Sequence, residues 1–297
     1  MKSKAAMLLV LVLLGSVTML RGQQTRQDVG TKLLIPSSAR TASFTSFLAV
    51  LNLDTQPNMV EIRARREDGS SIGQSLTQMI PVGGRFRSTD ILGDLGAGLG
   101  EFGPITVEST NGRLLSAVSE VNSAQGPGGF FPGVNVNTAW QTGFISEVID
   151  TGDFGVARTF RTNIGVNTVS GSTANVTVTF LNNSGTQVGS SISFMVAGNG
   201  MTQKNGVVRE LLNSGGGVTG QNGFLKITSD RPVVAWASKV ENGTGDPSFQ
   251  IGIGAASVVV SQIEADTQVA ANNLLFVALG LLGPVAVFLT PSQEKKS

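Results

Sequence analysis

The sequence predicts an all-β protein: two tandem antiparallel β-sandwich domains, each with a short helical insertion, flanked by apolar terminal segments. Three observations predict it. First, the chain repeats itself. Ser46 to Gly73 aligns without a gap on Thr162 to Gly189, placing Val50 on Val166, Val60 on Val176 and Gly69 on Gly185. Phe44 falls on Phe160 and Met79 on Met195; after a length change Val107 meets Ile227, Ser119 meets Ser238, Val121 meets Val240 and Phe130 meets Phe249. A unit this long is a whole domain, because stacked solenoid repeats run about 20–50 residues. Second, apolar and polar residues alternate within each copy, the mark of a strand in a sheet wetted on one side. Third, 38 glycines among 297 residues, with abundant Ser, Thr, Val and Asn, suit β-branched strands joined by tight turns.

The segment 1–22 reads as a secretory signal. Lys2 and Lys4 precede an apolar run from Ala5 to Leu20, and small Gly22 suits its last residue. An uncleaved anchor and a buried helix are the alternatives. The first sandwich spans 30–132 and opens on Ile35–Arg40. Val60, Ile62 and Ala64 alternate with Glu61, Arg63 and Arg65; Glu67-Asp68-Gly69-Ser70 turns the chain, and Ile72–Ile80 returns it. Ser88 to Leu95 carries Ser, Thr and Asp before Ile91, Leu92 and Leu95, which fits one or two helical turns ended by Gly96. Strands resume at Ile105–Ser109 and Leu114–Val121.

An Asn-rich bridge over 133–147 leads to the second sandwich, 148–258, whose opening segment is Val148–Arg158. Val176, Val178 and Phe180 alternate with Thr177 and Thr179, Asn183-Ser184-Gly185-Thr186 turns, and Val188–Val196 returns. Val207, Val208, Leu211 and Leu212 match the first helical insertion; Leu225–Ser229 and Val233–Val240 match the later strands. Trp236, aligned with Ala117, reads as core packing. In the C-terminal segment, 259–297, uncharged and largely apolar residues over 269–290 precede Lys295 and Lys296, as a membrane helix held by the positive-inside rule would. A pair of core strands turning at Leu282-Gly283-Pro284 is the competing reading.

Copy two carries a recurring pattern in Arg161-Thr162-Asn163-Ile164-Gly165-Val166-Asn167, in Ile227-Thr228-Ser229-Asp230-Arg231-Pro232-Val233-Val234-Ala235 and in Gly245-Asp246-Pro247-Ser248-Phe249. On these residues each copy resembles a β-sandwich repeat, immunoglobulin-like in size, that is widespread in exported, modular bacterial surface proteins. Copy one departs from it, with Leu51 where Asn167 stands and Asn111-Gly112 near the Asp230 position. The Cys–Trp–Cys signature of true immunoglobulin domains is missing. The resemblance implies architecture and location, and brings no known active site.

Composition narrows function. A formal net charge of +1 with 14% charged residues gives no bulk attraction to nucleic acid. Cys, His and Tyr are all absent, which removes disulfides, thiolate metal sites and the commonest general base. No catalytic, cofactor-binding or metal residues are assigned. Gly98-Leu-Gly100-Glu-Phe-Gly103 spells a dinucleotide fingerprint but precedes a strand, so the required helix is lacking. Asp150 with Asp153, and Glu241 with Asn242 and Asp246, read as turn residues before calcium ligands. Arg63, Arg65, Arg66, Arg85 and Arg87 read as a solvated, mutually paired face before a polyanion strip. Phe130, Phe131, Trp140 and Phe144 gather around the bridge, as an interdomain contact first and an exposed binding platform second. The expected function is a non-catalytic exported structural or adhesive module at the bacterial cell surface, with protein or glycan partners and possible membrane anchoring through the C-terminal segment. The alternative is a glycan- or protein-binding module using those aromatics.

Overall fold

Alternation builds the first sheet directly. In β3 (Asn58–Arg65) Val60, Ile62 and Ala64 are buried, and the strand folds back as β4 (Ser71–Ile80). Gly69, at φ +81°, supplies the left-handed turn between them. The computed structural model describes residues 28–123, 126–212 and 221–255. The segments 1–22 and 259–297, with the expected membrane helix 269–290, lie outside the described residues. Among the described residues no helix is long and apolar enough to cross a membrane.

The first half adds β1 (Lys32–Arg40), β2 (Phe44–Asn52), β5 (Arg85–Ser88), β6 (Glu101–Ser109), β7 (Leu115–Ser123), β8 (Gly126–Pro132) and β9 (Val134–Asn135). Strands run β4-β3-β6-β1, with β9 beside β1, in one antiparallel layer and β5-β2-β7-β8 in the other; an Arg40–Thr45 pairing joins the layers at a corner. Leu33, Ile35, Leu48, Val50, Ile62 and Val107 fill the space between. The one-turn α1 (Ile91–Asp94) is capped by Asp90, whose carboxylate accepts from the Gly93 N–H at 3.0 Å.

The second half comprises β10 (Trp140–Asp150), β11 (Phe160–Thr168), β12 (Ala174–Leu181), β13 (Ile192–Val196), β14 (Met201–Lys204), α2 (Val207–Leu211), β15 (Gln221–Glu241), β16 (Pro247–Ile251) and β17 (Ile253–Gly254). Its pairing scheme reproduces the first. β13-β12-β15-β10-β17 forms one layer and β14-β11-β15-β16 the other, so that β15 serves for both β6 and β7. Even the irregularities agree. β1 bulges between Ile35 and Ser38, and β10 bulges between Ile145 and Val148, at corresponding points. Both halves lie in one compact unit ending at Gly254.

Three expectations need correction. Most of the bridge over 133–147 is ordered structure: Val134–Asn135 pairs with β1, and β10 already begins at Trp140. Asn135 forms both a cap and a tie, since it accepts from the Asn137 N–H at 3.0 Å and donates to the Val29 carbonyl at 2.7 Å. The return strand expected over Val188–Val196 is regular only from Ile192. The alignment of Trp236 on Ala117 is one residue out. Gly165 pairs with Trp236 as Ala49 pairs with Val118, so Trp236 corresponds to Val118 and faces away from its own half's core. A one-residue slip moves a side chain to the other face of a sheet.

In each half a salt bridge ties the helix region to the lead-in strand, with opposite polarity. In the first, Arg40 on β1 binds Asp90 at the start of α1, Nε to Oδ2 2.8 Å. In the second, Asp150 on β10 receives Arg209 of α2 in a fork, at 2.9 and 3.1 Å. Hydrogen bonding to Asp150 raises the Arg209 guanidinium above its ordinary value. Asp150 is only 1% exposed, whereas Arg40 and Asp90 each keep roughly a third of their surface in water. Removing one member of a buried pair strands the other. Arg209→Met is therefore expected to cost about 3–5 kcal/mol in denaturant unfolding. Arg40→Met should cost about 0–1 kcal/mol, and equal losses at the two sites would contradict the burial difference.

Candidate functional site

The feature that sets this chain apart is the seam where one half docks on the other. In β15, Val233, Ala235 and Ala237 face the second half's own core. Val234 and Trp236 face outward, yet both are buried. Val234 packs with Leu34 and Val134 of the first half. Trp236 and Met201 join the first half's core cluster. The outer face of β14-β11-β15-β16 is thus covered by the β1/β8/β9 edge of the first half.

Ring geometry fixes the contact. Phe131 of β8 meets Trp236 edge-on at 5.2 Å and Phe249 of β16 at 4.1 Å. A Cβ on Gly165 would lie 2.2 Å from the Trp236 ring, so only glycine leaves room for the indole across the sheet. Beside it Asn167 donates through Nδ2 to the Pro36 carbonyl at 2.8 Å. At the far end the β3–β4 hairpin rests on the turn before β14. Met201 N–H donates to the Glu67 carbonyl at 3.2 Å, and Gly69 lies so close that a Cβ would sit 2.0 Å from the Gly198 carbonyl oxygen. An open cleft of about 650 Å³ borders this junction, lined by Glu67, Asp68, Met195, Met201 and Lys204 among others.

The four bridge aromatics separate. Phe131 is 2% exposed and belongs to the seam. Trp140 is 8% exposed and sits in the second half's core against Gly143 and Gly254. Phe144 is half-buried beside Phe224, ring centroids 6.2 Å apart. Phe130 is 57% exposed. They form no common surface. Sequence reading missed Trp236, Phe249 and Asn167 as seam residues. The available signal was the loss of alternation: Val233 to Ala237 is apolar throughout, as expected of a strand buried on both faces.

Most of the remaining candidates are engaged within the protein. Arg63 binds Glu61 and Glu108, and Arg66 binds Glu101, whereas Arg85 and Arg87 lie on the other layer. The five arginines therefore form no single strip. Asp150 and Asp153 both bind Arg209. Asn242 accepts from Arg161 at 2.7 Å and donates to the Gly152 carbonyl at 3.1 Å. Gly98 to Gly103 runs straight into β6.

Four carboxylates are held below their ordinary values: Asp68 by hydrogen bonding from Ser70, Glu101 by hydrogen bonding from Arg66, Asp230 by the Asn175 backbone N–H, and Glu241 by the Thr244 backbone N–H.

No protein-family model and no curated protein matches the chain. Among solved structures, the crystal structure of Thermotoga maritima 1070 aligns at 17% identity over 39% of this chain and 95% of that one, TM-score 0.31. A glycosyl hydrolase family 2 (GH2) member from Bacteroides cellulosilyticus DSM 14838 aligns at 12% identity over 73% of this chain and 27% of that one, TM-score 0.15. At these TM-scores neither likeness bears on architecture or activity here.

Overpacking of Gly165 tests the seam. Gly165→Ala is expected to lose about 1–3 kcal/mol in chemical denaturation, and Trp236→Ala about 3–5 kcal/mol; a neutral Trp236→Ala would show that the seam contributes little. The carboxylates test the electrostatics. Because they hold protons more weakly in the folded state, their contribution is complete above the ordinary values of 4.5 for Glu and 3.8 for Asp. It declines as pH falls through the depressed folded values. Melting temperature measured downward from pH 6 should therefore drop below about pH 4.5, less steeply in Glu241→Gln.

Proposed function

We propose that this chain is a non-catalytic, exported structural module: two tandem immunoglobulin-like sandwiches that serve as an adhesive or assembly element at the bacterial cell surface. The observation that carries the reading is the seam. One strand scheme occurs twice, and the copies are joined through a buried face instead of a flexible linker, which makes a stiff two-part spacer. Modular doubling of this kind serves presentation and contact more than chemistry at one centre. The basic, then apolar, amino terminus supports export. The ligand-binding alternative keeps Phe130 as the one largely exposed aromatic of its four, too little for a stacking platform.

Location gives the direct test. Produced at full length in a bacterial host, the protein is expected in envelope or external fractions and open to protease added to intact cells. Co-purification with cytoplasmic markers, with protection until lysis, would defeat the reading.

A further inference from the structure

The seam consumes one edge and one face, and each has an unused counterpart. Strand pairing identifies them. On the docking edge, Leu34 and Val134 pair across β1 and β9 as Phe144 and Ile253 pair across β10 and β17. On the receiving face, Asn167, Trp236, Met201 and Phe249 correspond to Leu51, Val118, Arg85 and Phe130. Leu34, Val134, Trp236 and Met201 are buried in the seam. Their counterparts are open. Ile253 is 48% exposed, Leu51 41% and Phe130 57%, while Phe144 and Val118 are half-buried. The free edge lies on the second half and the free face on the first, so the two are complementary ends of one molecule.

We propose that the chain binds a second copy of itself head to tail, the Phe144/Ile253 edge of one copy docking on the Leu51/Val118/Phe130 face of the next. The contact repeats the internal seam, and because the two surfaces differ it propagates as a linear array unless the rotation closes a ring. Two further features suit the fit. The bulge residue Glu147, paired with Lys239 at 3.2 Å and with its side chain 66% exposed, occupies the place of Ser37 beside Pro36, the partner of Asn167. In the repeated contact it comes toward Arg85, the cross-strand neighbour of Leu51. The β12–β13 turn also keeps the hairpin glycine: Gly185, at φ +77°, corresponds to Gly69 but has open space around it. Burying an exposed Phe, Leu and Ile supplies the apolar centre such an interface needs, with charges at its rim. The proposal deepens the assembly reading and rests on it for the setting.

The absence of native cysteine allows a clean test. Val134 and Val234 share one buried cluster in the seam, and their counterparts are Ile253 and Ser116. Purified full-length Ser116→Cys/Ile253→Cys, treated with a mild oxidant, is expected to give a ladder of dimers, trimers and longer species on non-reducing gels. Each single-cysteine variant should stay monomeric, and adding Phe130→Asp to the double variant should abolish the ladder without changing its melting curve. No ladder from a folded double variant overturns the proposal, and so do dimers from either single variant, which would mark a face-to-face or edge-to-edge contact. An exported protein that gives no ladder sinks this inference and leaves the location standing; a ladder from a protein retained in the cytoplasm does the reverse.

Discussion

The structure depends on burying Trp236 on the wrong side of its own sheet. An indole of this size, removed from water, contributes on the order of 5 kcal/mol as an upper bound. Much of that gain is lost to the second half alone, because the ring lies on its outer face, flanked by its own Phe249 and closed over by Phe131 of the first half. The surrounding choices follow from this placement. Gly165 clears space for the ring, Phe131 meets its edge, and Asn167 ties the neighbouring strand to Pro36. The arrangement carries a polar cost: Nε1 of Trp236 and Oδ1 of Asn167 are buried without a hydrogen-bond partner among the described residues. Each such group costs about 1–3 kcal/mol unless water reaches it. Apolar area must outweigh that cost, and it does so only when both halves are folded together, which couples their stabilities.

The duplication and most strands were legible in the sequence because a half-wet sheet leaves a period of two. Val60, Ile62 and Ala64, or Val176, Val178 and Phe180, need no tertiary knowledge. The seam was not legible for the opposite reason. Where both faces are buried, the period vanishes, and Val233 to Ala237 reads simply as core. Alignment then placed Trp236 one position away, which sent it to the inner face. The aromatic cluster failed by similar logic. Phe130 and Phe131 are neighbours in sequence but point to opposite faces, one into water and one into the seam. Pro232 misled in another way. It falls in the gap left between Leu225–Ser229 and Val233–Val240, yet β15 runs through it, because it lies where the strand exchanges its partners β10 and β12 for β11 and β16. A missing N–H is tolerated at such a crossover, and Asp230 secures the corner by accepting from Asn175 at 2.8 and 2.7 Å.

Two copies of one fold in one chain invite mispairing during folding. The reversed salt bridges oppose it. A helix segment docked on the wrong half would set Arg209 against Arg40, or Asp90 against Asp150, exchanging attraction for repulsion. The penalty is largest at Asp150, where burial removes the screening that water gives Arg40. Neither charge pattern is required by the fold, since the two halves build the same strand scheme with opposite polarities; beyond stability, the reversal adds discrimination.

The seam uses the β1/β9 side of the first half and leaves the outer strands β4 and β13 to be protected otherwise. The outer strands β4 and β13 lack charge along their length and would ordinarily invite strand addition. The ends of the one-turn helices α1 and α2 reach both. Leu95 accepts from the Gln74 N–H at 2.7 Å and Leu211 from the Ser190 N–H at 2.8 Å, at corresponding positions in the two halves. On β4 the carbonyl sits on the strand itself and breaks the ladder at Gln74, whereas in the second half it sits just ahead of β13 and hinders the approach. Each insertion therefore does locally what the seam does globally, satisfying backbone or apolar surface within the chain. The surfaces that escape both devices are the outer face of the first half and the lead-in edge of the second. They are open because a tandem of two must leave one of each uncovered.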